Sequence, residues 1–192
     1  MKLNSKDALV IVDVQNDFCP GGTLAVLSGD EVARTMTRTA DAFHGQGGRV
    51  FVTQDWHPTG HSSFLESGGP WPAHCAQGSY GAELHPDLNL PDGYITVKKG
   101  SDPDIDAYSG FLDSDLEEQL TSAGVTRIFV GGLATDYCVL NTVLDARQIG
   151  FETYLLSDGI GSVDVDKGDG ERAITRMLAA GATSISVSEV ID

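Results

Sequence analysis

The chain has 192 residues, 41% of them hydrophobic and 21% charged, which suits one soluble domain with a sizeable core. Its 28 acidic residues outweigh 12 basic ones for a net charge of −16, a surface that repels phosphate backbones and anionic lipid and so disfavours nucleic-acid and membrane partners. The first apolar run, residues 8–12, is too short for a signal-peptide core or a bilayer span. Cys19, Cys75 and Cys138 are odd in number and lack CxxC spacing, so free thiols in a reducing, cytoplasmic setting are expected.

In chain order, a β-prone run at residues 8–13 is followed by Val32, Met36, Ala40 and Phe43, whose spacing places them on one helix face. A second β-prone run covers residues 49–54 and a third covers 94–98. Leu112, Leu116, Leu120 and Ala123 then form a helical stripe behind Ser114-Asp115-Leu116-Glu117, which has the form of a capping box. The run at 127–131 leads into a stripe of Val139, Leu140, Val143 and Leu144. The run at 152–156 precedes Ile174, Met177 and Leu178, a stripe stopped by Gly181, and a last run covers 183–187. Alternation of this kind predicts a three-layer α/β/α arrangement, a parallel sheet covered by helices on both faces, in one domain spanning residues 1–192.

Residues 55–93 break the alternation, and long irregular segments inside a compact domain are usually functional. This one holds four of the five histidines, both tryptophans and five of the seven prolines. Asp55 and His57, two residues apart after a strand, form with His74 an Asp/His/His set suited to Zn²⁺, Fe²⁺ or Mn²⁺ with open positions. His61 is undecided between ligand and loop contact, and His85, followed by Pro86, reads as a hydrogen-bonding loop residue.

Cys138 lies where the fourth β-prone run passes through Gly131-Gly132-Leu133-Ala134 into a helix. Amides and dipole at a helix start favour a thiolate and can bind an oxyanion, although a cysteine there is more often inert packing. Asp13 ends the first apolar run, where a carboxylate is costly unless paired or used. Lys99 leaves the third strand beside Lys98; alternation sends the two to opposite faces. Asp13, Lys99 and Cys138 all fall at carboxyl ends of strands, the edge at which open α/β sheets bind ligands.

Together these segments resemble the nicotinamidases of the isochorismatase-like cysteine hydrolase superfamily. The resemblance rests on Asp13-Val14-Gln15-Asn16-Asp17-Phe18, Gln54-Asp55-Trp56-His57-Pro58, Trp71-Pro72-Ala73-His74-Cys75, Lys99-Gly100, Asp106-Ala107-Tyr108-Ser109-Gly110-Phe111 and Ala134-Thr135-Asp136-Tyr137-Cys138. It implies a six-stranded parallel sheet in the order 3-2-1-4-5-6 and a catalytic triad of Asp13, Lys99 and Cys138. It implies a divalent metal, zinc first and iron or manganese next, on Asp55, His57 and His74. His61 matches a histidine that coordinates in some members only, and Gly60 replaces the asparagine that often precedes it.

The resemblance further implies an aromatic pocket of Phe18, Trp71 and Tyr108. A cis peptide between Leu133 and Ala134 would present the amides of Ala134 and Cys138 as an oxyanion hole. The implied activity is hydrolysis of nicotinamide, a small-molecule substrate, to nicotinate and ammonia in NAD salvage, by a monomer or homo-oligomer. Another amidase of the superfamily would keep the triad without needing the metal loop, and an isochorismatase would not need the cysteine. A non-catalytic metal- or ligand-binding homologue would keep the fold with an idle pocket.

Overall fold

In the computed structural model, which describes residues 1–191, six strands form one parallel sheet in the order β3-β2-β1-β4-β5-β6. They are β1 (Asp7–Val12), β2 (Arg49–Asp55), β3 (Ile95–Lys99), β4 (Arg127–Leu133), β5 (Glu152–Gly161) and β6 (Thr183–Ile185). The strand order reverses between β1 and β4, and both are almost wholly buried, as expected for central strands covered on two faces.

Side-chain alternation divides the core into two layers. Leu9 and Ile11 face one cluster with Val32, Met36, Ala40 and Phe43 of α1 (Gly29–Gly45) and Val190 of α5 (Ser188–Ile191). Ala8, Val10 and Val12 face the other, built from α2 (Leu116–Ser122), α3 (Leu140–Ile149) and α4 (Asp169–Ala179). The three-layer architecture and the strand order agree with the sequence expectation.

Local details differ. The α2 stripe loses Leu112, which is 46% exposed and precedes the helix. The expected capping box does not form: Ser114 Oγ donates to the Gly110 carbonyl at 2.5 Å and accepts the Leu116 N–H at 3.3 Å. On α4 the buried face is Gly170, Ala173 and Met177, which leaves Leu178 40% exposed. β5 outruns its expected end to reach Gly161, and its pairing with β4 shifts between Val130 and Gly132. Gly132, at φ +118°, has no room for a side chain, because a Cβ would lie 2.1 Å from the Val12 carbonyl oxygen. Among the described residues no helix is long and apolar enough to cross a membrane.

Candidate active site and metal centre

The carboxyl edge of the sheet carries the chemistry. Asp55 and Lys99 are direct register partners on β2 and β3, so their side chains leave the same face of the sheet. Lys99 is fully buried, whereas Lys98 is exposed and stacks its ammonium 3.4 Å from the centre of the Trp56 ring. Strand alternation thus separates the two lysines. The Lys99 side chain runs across the strand ends: its Nζ bonds Asp55 Oδ1 and the Ala107 carbonyl, the latter at 2.9 Å. It also lies 2.9 Å from Asp13 Oδ2 and 3.6 Å from Cys138 Sγ.

Asp13 follows β1 with φ +47°, a left-handed conformation that aspartate tolerates better than most residues. Its Oδ1 accepts the Thr53 hydroxyl at 2.6 Å, while its own N–H donates to that hydroxyl oxygen at 3.2 Å. Its Oδ2 has no aligned hydrogen-bond donor and faces the charge of Lys99. Cys138 lies in a π-turn, Thr135–Val139, between β4 and α3. There both Tyr137 N–H and Val139 N–H donate to the Ala134 carbonyl at 3.1 Å. The Leu133–Ala134 peptide that enters the turn is cis.

Burial sets the proton balance. It pushes the Cys138 thiol well above its usual range, against the pull of Lys99, so the thiolate bias expected of a helix start is outweighed by desolvation. Burial likewise raises Asp13, with Lys99 opposing and Asp55 adding to the rise. Burial disfavours the charged form of Lys99, yet Asp13, Asp55 and Cys138 raise its pKa well above the ordinary value. Asp55 is lowered despite burial, because Lys99 and His57 stabilise its charge. The site therefore holds one fixed cation, one firmly ionised carboxylate, and two buried acids, Asp13 and Cys138, whose hold on a proton is strengthened.

On the other side of Asp55, donor atoms of Asp55, His57 and His74 all lie within 4.8 Å of one another. His57 Nδ1 lies 3.0 Å from the Gly100 carbonyl oxygen and His74 Nδ1 lies 2.9 Å from that of Pro72. A carbonyl can only accept, so both Nδ1 atoms carry a proton; in the neutral rings each Nε2 then offers its lone pair to a metal, that of His57 lying 3.5 Å from Asp55 Oδ2. A neutral His/His/carboxylate set of this kind fits a zinc-class ion with open positions. His61 stacks on the His57 ring at 4.0 Å, and its nitrogens are engaged by Ser63 Oγ at 2.7 Å and the Ile105 carbonyl at 3.1 Å. In this geometry its ring buttresses that of His57.

Cys19, Asp30 and His85 also approach one another within 4.8 Å. His85 Nδ1 accepts the Asp87 N–H at 3.3 Å, so its proton sits on Nε2, which faces Asp30 at 3.4 Å. This is a hydrogen-bonded loop contact, as the sequence suggested for His85.

Between the two centres lies a pocket of about 410 Å³, lined by Phe18, Leu24, Asp55, Trp71, His74, Tyr108, Ala134, Tyr137, Cys138 and Val163. Trp71 Nε1 donates to the Tyr108 hydroxyl at 2.8 Å, and the Trp71 ring meets Tyr137 edge-on at 5.1 Å. The three expected aromatic residues, Phe18, Trp71 and Tyr108, line one cavity together with Cys138.

Leu24, Tyr137 and Val163 were missed. Tyr137 adjoins the cysteine and Val163 follows β5 at the binding edge, signals that were open to reading; Leu24 carried none. Gln15 was also missed as a support. Its buried amide accepts the Asp55 N–H at 2.8 Å and donates to the carbonyls of Asp55 and Ala82 at 2.9 Å each.

Comparison with known proteins agrees with this geometry. Residues 7–189 match the isochorismatase domain family. The chain is 38% identical to the nicotinamidase of Escherichia coli (strain K12) over 95% of each chain. It superposes on the pyrazinamidase of Pyrococcus horikoshii in complex with zinc with a TM-score of 0.90 and 41% identity, over 94% of this chain and 99% of that one. PnC1 from L. infantum in complex with nicotinate gives a TM-score of 0.91 and 36% identity, over 98% of this chain and 96% of that one. The chain belongs to the isochorismatase family, on its nicotinamidase branch.

Proposed function

We propose that the protein hydrolyses nicotinamide to nicotinate and ammonia, as a cytoplasmic enzyme of NAD salvage. One observation carries the reading: a fully buried Lys99 contacts Asp13, Asp55 and Cys138 at the base of an aromatic pocket that also borders an Asp/His/His donor set. A purely ligand-binding homologue has no use for the thiol and the under-bonded Asp13 beside it.

In this mechanism Asp13 takes the Cys138 proton as sulfur attacks the carboxamide carbon, forming the C–S bond, and Lys99 balances the charge that develops. The amides of Ala134 and Cys138 hold the oxyanion. Asp13 returns the proton to the amide nitrogen, the C–N bond breaks, and ammonia leaves a thioester. Asp13 then deprotonates water for attack on that thioester, which releases nicotinate and regenerates the thiol. Phe18, Trp71 and Tyr108 enclose the ring. Asp55, His57 and His74 would hold a zinc-class ion, which when bound supplies a Lewis acid that anchors and orients the pyridine nitrogen.

The test is ammonia release from nicotinamide by metal-replete protein. Cys138→Ala should lose at least about 10⁴-fold in turnover, as expected for removal of a nucleophile, with circular dichroism unchanged. Cys19→Ala and Cys75→Ala should retain most activity. Near-normal turnover by Cys138→Ala would end the thioester mechanism, and no ammonia release by the metal-replete wild type would end the functional reading.

A further inference from the structure

Residues 162–168 follow β5 along the same sheet edge and lie outside every helix and strand. One of them, Val163, forms part of the pocket wall, whereas Val165 two residues on is 62% exposed. The later residues of the segment are tied to α4, where the Asp166 N–H donates to Asp169 Oδ2 at 2.8 Å and the Lys167 carbonyl accepts Arg172 Nη1 at 3.2 Å, and its first residues are tied to the π-turn. Asp136, in the π-turn that carries Cys138, accepts the Val163 N–H on Oδ1 at 3.0 Å and the Asp164 N–H on Oδ2 at 2.8 Å. Asp164, with φ +51°, in turn accepts the Gly170 N–H at 2.8 Å at the start of α4. Asp136 itself is absent from the pocket lining.

We propose that Asp136 is a positioning residue for substrate selection: its two-pronged grip on consecutive amides fixes Val163 as a wall of the ring pocket, at a set distance from the turn that bears the thiol. A carboxylate accepting two backbone N–H groups makes two charge-assisted bonds, and no other residue of the π-turn reaches this segment through a side-chain hydrogen bond. Asp136 therefore stiffens the wall on the side of the thiol-bearing turn, beside the bonds that tie residues 164–167 to α4. Rigid walls discriminate: an extra methyl group in a tight apolar pocket typically changes kcat/KM by about 10–200-fold. The proposal rests on the pocket's being the nicotinamide site.

The experiment compares wild type with Asp136→Ala, Asp136→Asn and Val163→Ala on nicotinamide and on 5-methylnicotinamide, alongside amide hydrogen exchange. Asp136→Ala should raise KM for nicotinamide about 10-fold with kcat within about 3-fold, and should raise the relative kcat/KM for the methylated substrate about 10-fold. Asp136→Asn, which keeps one acceptor oxygen, should fall between. Val163→Ala should shift the ratio in the same direction, and adding Asp136→Ala to it should shift the ratio little further, because both act through one wall. Exchange at the amides of Val163 and Asp164 should speed up about 10-fold or more in Asp136→Ala with no substrate present. That readout is independent of what the enzyme hydrolyses, so it separates failure of the tether from failure of the functional reading. An unchanged selectivity ratio with lowered kcat, or unchanged exchange at these two amides, would overturn the proposal.

Discussion

The two ends of the sheet each join an aspartate to a cation across neighbouring strands, and they do so to opposite effect. At the amino-terminal end Asp7 and Arg127 are register partners, as Asp55 and Lys99 are at the carboxyl end. Asp7 is saturated: Arg127 reaches its two oxygens at 2.6 and 2.8 Å, and Asn4 adds its backbone N–H at 2.7 Å and its side-chain amide at 2.9 Å. The arginine side chain keeps 18% of its surface in solvent. At the other end a single lysine with no exposed surface serves two carboxylates and faces a thiol, and one oxygen of Asp13 has no aligned donor. One cation per carboxylate, with four donors on its two oxygens, makes a clamp. One cation shared among three acidic groups leaves a proton to be moved. The difference lies in stoichiometry and burial, since the local strand geometry is the same.

The strongest way to break the comparison is to remove charge at the carboxyl end. Asp13→Asn and Lys99→Met should each lower kcat about 10²–10⁴-fold, the range for loss of general acid–base or electrostatic assistance. The double variant should be little worse than the poorer single one, because the two act as a unit with Cys138. Steady-state kinetics of the three variants reads this directly. Multiplicative losses would mean that Asp13 and Lys99 work separately, and the cluster would be a second clamp.

Next in size is the metal. Asp55 belongs to both centres: one oxygen is bonded to Lys99, and the other lies 3.5 Å from His57 Nε2. If the ion positions the ring and Cys138 carries the attack, chelation or His57→Ala should cost nicotinamide hydrolysis about 10²-fold through misplacement alone. Alkylation of Cys138 by a small electrophile should persist, because that residue lines the pocket beside Lys99, whereas Cys19 is buried outside that pocket and should react far less. Benzamide, which lacks the ring nitrogen, should be a poor substrate with metal present and should lose little more on chelation. Equal loss for the two amides would place the ion in the chemical step itself.

These contrasts also mark what could be read from the chain alone. Asp13, Lys99 and Cys138 were legible as a group because parallel strands are bounded apolar runs, and residues at their ends share an edge whatever the sequence distance. Alternation sent Lys98 and Lys99 to opposite faces, and the Lys99-Gly100 motif of the resemblance chose between them. The double duty of Asp55 was not legible: it depends on the register that sets it opposite Lys99, and no periodicity within one strand reports register. Gln15 escaped for a related reason, since a glutamine that completes the backbone hydrogen bonds of a neighbouring strand end looks polar and unremarked in sequence. Gly100 showed as half of a motif, but its reason is spatial: with φ +65°, a Cβ there would meet His57 Cε1 at 2.5 Å. The downward bias expected for the Cys138 thiol is opposed by desolvation, because the helix start was visible in sequence and the depth of burial was not.

Substitution at the amino-terminal end should act on stability and spare the chemistry. Asp7→Asn leaves the site untouched and removes the charge that holds Arg127. Breaking a fully buried pair by deleting one partner costs about 3–5 kcal/mol, because the survivor is stranded in a medium that cannot solvate it. Arg127 is partly exposed and can turn toward water, and the new amide can still take hydrogen bonds on its oxygen. The cost should therefore fall to about 2 kcal/mol, nearer the range of exposed pairs. For a chain of this size that corresponds to a fall in Tm of about 4–8 °C. Turnover per folded molecule at 25 °C should stay within about 2-fold of wild type, because surface and clamp substitutions remote from a site act on stability alone. Thermal unfolding and kinetics on one preparation give both numbers. A large loss of kcat with Tm unchanged would show that the amino-terminal pair reaches the chemistry through the sheet, and the division between a clamp at one end and a proton-sharing cluster at the other would have to be abandoned.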